Sequence, residues 1–140
     1  KMVALATLMP IVAGIGGNAG TQTLAVTVRA LATNQLTASN AWRAVRRELG
    51  IALLNGSTVA VVIGIVVGLL FHNPALGGVI AAAMLTNIVI AGLAGVFVPL
   101  TLERLKVDPA ISSSIFVTMT TDSMGFLAFL GLATVTGLVG

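Results

Sequence analysis

Long apolar runs separated by short polar clusters dominate the chain. Residues 2–28 and 49–102 contain no Asp, Glu, Lys or Arg, and residues 109–140 contain one, Asp122. A helix that crosses about 30 Å of hydrocarbon needs about 20 apolar residues, so the second run must hold two crossings. The turn between them falls at residues 71–74, where an Asn precedes a Pro and disfavours helix. The pattern predicts four helices, at about 2–32, 50–70, 75–100 and 110–138.

The composition places this helical chain in a membrane. Of 140 residues, 57% are hydrophobic and 8% are charged, and the mean hydropathy is +1.10. A soluble domain carries about 25% charged residues. The sequence therefore predicts an all-α integral membrane protein, a polytopic helical bundle that forms one transmembrane domain over residues 1–140. A disordered chain, a nucleic-acid-binding domain and a disulfide scaffold are excluded, the last because there are no cysteines.

The basic residues indicate how the bundle is oriented. Two short segments, residues 33–48 and residues 103–109, together with Arg29, hold six of the seven basic residues of this chain, whose net charge is +3. Four crossings put both segments on the same side of the membrane. Because basic loops are retained in the cytoplasm, we expect both loops there and the turn at His72 outside.

The first predicted helix has a polar, glycine-rich centre. Two interpretations stay open for it. Close helix packing explains Gly16 and Gly20, which form a G-x-x-x-G motif. A cavity wall explains why polar side chains crowd the same stretch, and their density favours it. A phosphate-binding loop is disfavoured, because neither a preceding strand nor a lysine accompanies the glycines. The stretch contains Gly14, Gly16, Gly17, Asn18, Gly20, Thr21, Gln22 and Thr23.

Asp122 lies near the middle of the last predicted helix. Insertion scales put the cost of a carboxylate at that depth at about 2.5 to 3.5 kcal/mol, so such a residue normally faces protein or water. No basic residue is expected at the same depth, so a cation is the favoured partner. The alternatives are a protonated carboxyl or a hydrogen bond to Asn18 or Gln22. Helical spacing predicts that the face of Asp122 also carries Ser114, Thr118 and Gly125, with Thr121 adjacent.

Catalysis is not expected from this chain. Aspartyl proteolysis inside a membrane needs two carboxylates that share a proton, and one lies at depth here. His72, the single histidine, falls in the turn between two helices and so away from any intramembrane serine. A single Asp can still be doubled by symmetry, because most oligomers are two-fold dimers in which the same surface meets itself. Two copies of Asp122 beside a dimer axis would form a divalent cation site.

Two further features have structural interpretations. Asn55 and Asn87 are amides in largely apolar helices and are expected to form interhelical hydrogen bonds. Gly64 and Gly68 form another G-x-x-x-G motif, which is typical of close helix packing.

Several motifs together resemble one family. Residues 9–23 are similar to the P-x(3)-G-x-G-G-N-x-G-x-Q signature of the MgtE family of magnesium channels, and Arg-Ala-Leu-Ala follows at residues 29–32. Val-Asp-Pro-Ala at residues 107–110 and Thr-Asp-Ser-Met-Gly at residues 121–125 resemble the elements before and within its last helix. The resemblance runs from Met9 to the C-terminus in the right order.

The resemblance implies an architecture and a function. This chain would be helices two to five of a five-helix membrane domain in the bacterial inner membrane, with an upstream first helix and cytoplasmic CBS-type regulatory domains in the full-length protein. The family works as a homodimer that conducts hydrated Mg²⁺ along the dimer axis. The second and fifth family helices, which are the first and last predicted here, line that pore.

The resemblance also assigns residues. Asp122 would be the selectivity carboxylate, with Thr118 and Gly125 completing the metal site. Mn²⁺, Co²⁺ and Ca²⁺ are further ions for such a site. Two hypotheses from other classes stay open: a non-conducting membrane scaffold, and a proton- or sodium-coupled transporter of an organic substrate. The implied pore-lining residues are Gly14, Gly17, Asn18, Thr21, Ser114 and Thr121.

Overall fold

A computed structural model describes residues 2–37 and 39–139, and these residues form a bundle of four long helices. Each helix is long and apolar enough to span a membrane, which confirms the predicted all-α polytopic class. The helices are α1 (Met2–Ala32), α2 (Ala41–Leu70), α3 (Pro74–Arg104) and α4 (Pro109–Val135).

The most buried helix is α3, which packs against each of the other three, while α1 also packs against α4. Ile80, Ala83 and Met84 of α3 are fully buried in the core. A helix surrounded by neighbours must be apolar on all sides, and the sequence of α3 has no polar face. The central position of α3 leaves one side of α1 and one side of α4 exposed.

The helix directions agree with four crossings. Gly16 of α1 lies beside Asn87 of α3, and Thr23 lies beside Gly95, so α1 and α3 run parallel. Their C-terminal ends are therefore at the same end of the bundle. The two basic connections that follow these helices lie together there, as the crossing count predicts.

The predicted boundary of the second helix was wrong at its start. The prediction placed it at residues 50–70, whereas α2 begins at Ala41 and includes Arg43, Arg46 and Arg47. Hydropathy marks the part of a helix that lies in hydrocarbon, and arginine is a good helix former outside it. The first connection is accordingly shorter than predicted. Smaller differences occur at Arg104, where α3 ends after the predicted residue 100, and at Val135, where α4 ends before residue 138.

Two helices begin with the same local chemistry. Asn73 caps α3, where its side chain accepts a 3.1 Å hydrogen bond from the Leu76 N–H, and Asp108 caps α4 with a 2.9 Å bond from the Ala110 N–H. In both cases proline is the first helical residue, where its missing N–H costs nothing. Cap and proline together fix where each chain segment re-enters the bundle.

The interhelical roles expected of three residues have different outcomes. Asn87 donates a 3.0 Å hydrogen bond from Nδ2 to the Val12 carbonyl of α1, as predicted. Gly64 packs against α3, since a Cβ on it would lie 2.9 Å from the Gly77 carbonyl oxygen. Asn55, by contrast, is exposed and bonds to none of the described residues, so its predicted interhelical bond is not formed.

Candidate cation-binding surface on α1 and α4

The polar residues of α4 form an exposed ridge. Ser114, Thr118 and Asp122 follow one another at intervals of four residues, and all three are exposed on the surface of the bundle. Residues four apart lie above one another on a helix, so their side chains share one face. The ridge therefore presents two hydroxyls and one carboxylate in a row.

Contacts between α1 and α4 bring the glycine-rich stretch to the same depth. A Cβ on Gly17 would lie 3.6 Å from Thr121 Oγ1, and a Cβ on Gly125 would lie 3.3 Å from Ala13 Cα. These pairs show that α1 and α4 run antiparallel, with Gly17 level with Thr121. At a rise of 1.5 Å per residue, the centre of the stretch lies within about one turn of Asp122 in depth.

The glycine-rich stretch has a buried face and an exposed face. Close helix packing explains the residues of the first, and the cavity-wall interpretation concerns those of the second. Gly16 and Gly20 are buried, and a Cβ on Gly20 would lie 2.7 Å from Val117 Cγ1 of α4. These two glycines permit close packing. Gly14 and Asn18 are exposed, and nothing lies within 4 Å of a Cβ on Gly14. The polar, open part of α1 therefore lies at about the same depth as the α4 ridge.

Two residues that were expected on the exposed α4 face lie inside the bundle. Gly125 is buried, and a Cβ on it would lie 2.6 Å from Asn87 Nδ2, so the prediction that it shares the open face of Asp122 is wrong. Thr121 is fully buried. The reason is that residues four apart on a helix share one face. The buried face of α4 contains Val117, Thr121, Gly125 and Phe129.

The hydroxyls near Asp122 are bonded to their own helices. Thr121 Oγ1 donates to the Thr118 carbonyl at 3.0 Å, and Thr21 Oγ1 donates to the Gly17 carbonyl at 2.8 Å. Thr21 itself is exposed, beside Gly14 and Asn18 on the open side of α1. Each of these two carbonyl oxygens also accepts the backbone N–H four residues later in its helix, so both of its lone pairs are occupied.

The Asp122 side chain makes no hydrogen bond or ion pair with the residues that the structure describes, which run from 2 to 37 and from 39 to 139. The alternative bond from Asn18 or Gln22 is accordingly not formed within the described chain. Both oxygens of this exposed side chain are therefore open to a ligand or a neighbouring molecule.

Sequence reasoning missed the importance of Asn87 for this surface. The amide was expected to bond between helices, but its partner could not be predicted. A single amide in an apolar helix does not show which residue of a neighbouring helix lies opposite it. In the structure Asn87 lies between α1 and α4, behind the exposed surface and at the depth of Gly125.

Comparison with known proteins decides the family. The model of the MgtE family, described as a divalent cation transporter, matches residues 9–132. The chain belongs to the MgtE family. The match covers the glycine-rich stretch of α1 and the α4 ridge, so both parts of the exposed surface lie inside the matched region. This is a family of membrane-embedded transporters and not of enzymes.

Individual MgtE relatives are similar over nearly the whole chain. It is 37% identical over 134 residues to the magnesium transporter MgtE of Bacillus subtilis, covering 96% of this chain and 30% of that protein. It is 40% identical over 129 residues to the magnesium transporter MgtE of Enterococcus faecalis, covering 92% of this chain and 28% of that protein. The chain therefore spans about three tenths of the length of the curated relatives it matches.

Proposed function

We propose that this chain forms the pore domain of a magnesium-selective channel. Two copies would pair about a two-fold axis, and hydrated Mg²⁺ would pass along that axis between the α1 and α4 surfaces of both copies. Asp122 of each copy would form the selectivity site. Membership of a divalent cation transporter family and the names of the magnesium-transporting relatives support the choice of cargo.

The observation that carries the proposal is the exposure of Asp122 at membrane depth. On a single chain its carboxylate would face lipid, at a cost of about 2.5 to 3.5 kcal/mol on insertion scales. A second copy that covers the α1–α4 surface would remove the carboxylate from lipid and line an aqueous path. Two-fold symmetry would then place two carboxylates near one axis, which matches the charge of a divalent ion.

The donor atoms on this surface suit magnesium. Mg²⁺ prefers oxygen ligands in octahedral geometry at about 2.0 to 2.1 Å and usually keeps several of its waters. The exposed surface offers the Asp122 carboxylate, the Thr118 hydroxyl oxygen and the Asn18 amide oxygen. Ser114 would extend the ridge toward the basic end of the bundle. Mn²⁺ and Co²⁺ would enter the same oxygen site, and Ca²⁺ would bind with different geometry.

Gly125 and Thr121 would contribute from behind the ion path and not from its surface. Gly125 allows α3 to approach α4 closely, and the Thr121 hydroxyl holds the Thr118 carbonyl. Gly17 has a similar position on α1, where it lies against Thr121. These residues would set the shape of the pore wall, while Gly14 and Asn18 would form its open part.

The same proposal implies an orientation in the membrane and further domains in the full-length protein. The basic connections would lie in the cytoplasm of a bacterial cell, with the chain in its inner membrane. The full-length protein would add a first helix and CBS-type regulatory domains, as the resemblance implies. Gating would then reside outside this chain.

Ion flux tests the proposal directly. Purified protein in liposomes should take up Mg²⁺, and Asp122→Asn should reduce uptake by about tenfold or more, which corresponds to at least 1.4 kcal/mol of lost ion stabilisation. Asp108→Asn is the matched control, because Asn also caps a helix and Asp108 lies outside the proposed pore. Equal uptake by wild type and Asp122→Asn would refute the site, and uptake that requires a proton or sodium gradient would favour a coupled transporter.

A further inference from the structure

One buried polar side chain lies directly behind the α1–α4 surface. Asn87 of α3 is fully buried, and its Nδ2 donates a 3.0 Å hydrogen bond to the Val12 carbonyl of α1. The same amide lies against Gly16 of α1 and Gly125 of α4. Asn87 is therefore in contact with both helices that carry the candidate site.

The Asn87 amide leaves no room for a side chain at Gly16 or Gly125. A Cβ on Gly16 would overlap Asn87 Nδ2, and a Cβ on Gly125 would lie 2.6 Å from the same atom. Real Cβ atoms do not approach other atoms that closely, so any side chain at either glycine would displace the Asn87 amide or push its own helix away from α3. The Asn87 amide thus fills the space that the missing side chains of Gly16 in α1 and Gly125 in α4 leave open.

The other end of the amide is without a partner. Asn87 Oδ1 is buried and accepts no hydrogen bond from the part of the chain that the structure describes. Burying an unsatisfied carbonyl oxygen is costly, and native proteins contain few such atoms. An aliphatic side chain at this position would avoid the cost, so the amide is expected to have a role that simple core packing does not require.

We propose that Asn87 is a positioning residue for the ion path. Its amide would set the separation of α1 and α4 at the depth of Asp122, which is three residues from Gly125. A hydrated Mg²⁺ is held by oxygens spaced for its waters, and such constellations must be kept to within about 0.5 Å. Asn87 would therefore influence which ion fits without touching it. This inference rests on the proposed channel function.

Replacing the amide tests the inference. Asn87→Ala should lower the ratio of Mg²⁺ to Ca²⁺ flux per folded protein by about twofold or more, the smallest coupling commonly measured between contacting residues. Met84→Ala is the matched control, because Met84 is also fully buried on α3, one turn away, but belongs to the hydrophobic core. It should reduce the amount of folded protein and leave the flux ratio unchanged. A ratio that is the same for Asn87→Ala and wild type would overturn the inference.

A double variant keeps the test valid if Asn87→Ala folds poorly. Gly16→Ala alone should displace α1 from Asn87, lower the folded yield and change the flux ratio. In Gly16→Ala/Asn87→Ala the new methyl occupies space that the amide has left, so both quantities should be closer to wild type than in Gly16→Ala. Strictly additive effects of the two substitutions on the flux ratio would show that Asn87 does not act through α1, against the inference.

Asp122→Asn in the same liposomes separates the two proposals. Should Asp122→Asn conduct Mg²⁺ as wild type does, the proposed Asp122 site fails, and the inference about Asn87, which rests on that site, fails with it. Should Asp122→Asn lose flux while Asn87→Ala keeps the wild-type ratio, the inference alone fails and the channel proposal stands.

Discussion

Gly17 of α1 lies against Thr121 of α4, with 3.6 Å between Thr121 Oγ1 and the position that a Cβ on Gly17 would take. That spacing is an ordinary van der Waals contact, so one methyl fits but a larger side chain meets the Thr121 hydroxyl. Gly17 is thus part of a helix contact beside the proposed pore. Gly14, one turn earlier, has open space around it and is the better probe of the ion path.

Adding bulk at Gly14 should block the pore without disturbing the fold. Gly14→Val places a side chain where no protein atom lies within 4 Å, and valine is a better helix residue than glycine, so the melting temperature should be unchanged or slightly higher. Mg²⁺ flux per folded protein should fall strongly, as measured in liposomes.

The control for that experiment is Gly78→Val. Gly78 is an exposed glycine of α3 with equally open surroundings, but it lies away from the α1–α4 surface. It should keep both flux and melting temperature. If Gly14→Val and Gly78→Val have the same flux, Gly14 does not line the path of the ion.

The two glycines of the α2 packing motif should respond differently to alanine. A Cβ on Gly64 would lie 2.9 Å from both the Gly77 carbonyl oxygen and Ala81 Cβ, whereas a Cβ on Gly68 would have no neighbour closer than 3.8 Å. Overpacking lowers stability by about 1 to 3 kcal/mol, whereas replacing glycine by alanine in a helix raises stability by up to about 1 kcal/mol. Gly64→Ala should therefore melt at a lower temperature than Gly68→Ala. The reverse order would contradict the packing of α2 on α3.

Thiol labelling should show which parts of the chain share a side of the membrane. The chain has no cysteine, so an introduced one is the single thiol. Cysteines at Gln35 and Leu105, exposed in the two connections at one end of the bundle, should react only with a reagent supplied from the cytoplasmic side. A cysteine at Ala75, at the opposite end, should react only from outside. Labelling of Gln35 and Leu105 from different sides would rule out four crossings.

Much of the fold can be predicted from the sequence because the bilayer imposes simple rules. Apolar length counts the crossings, and Asn-Pro and Asp-Pro pairs mark where two helices start. The start of α2 could not be predicted in this way. Its first two turns carry arginines outside the hydrocarbon, where neither hydropathy nor a strong cap distinguishes a helix from a loop.

The candidate site was predictable only in part. Asp122 stands out because a lone carboxylate at depth has few structural explanations. Which of its helical neighbours face outward depends on how α4 packs on α1 and α3, and Gly125 lies inside that contact, against Asn87 and Ala13. The partnership of Asn87 with Gly16 and Gly125 joins three helices, and no pattern within one helix encodes it.

The central claim is that two Asp122 carboxylates, one from each copy, hold a single ion. Counting bound Mg²⁺ at equilibrium in wild type and in Asp122→Asn tests this claim most directly, since the difference between them isolates the site from any other. We predict a difference of one Mg²⁺ per two chains, with both proteins dimeric. A difference of one Mg²⁺ per chain, or none at saturating Mg²⁺, would contradict the shared site.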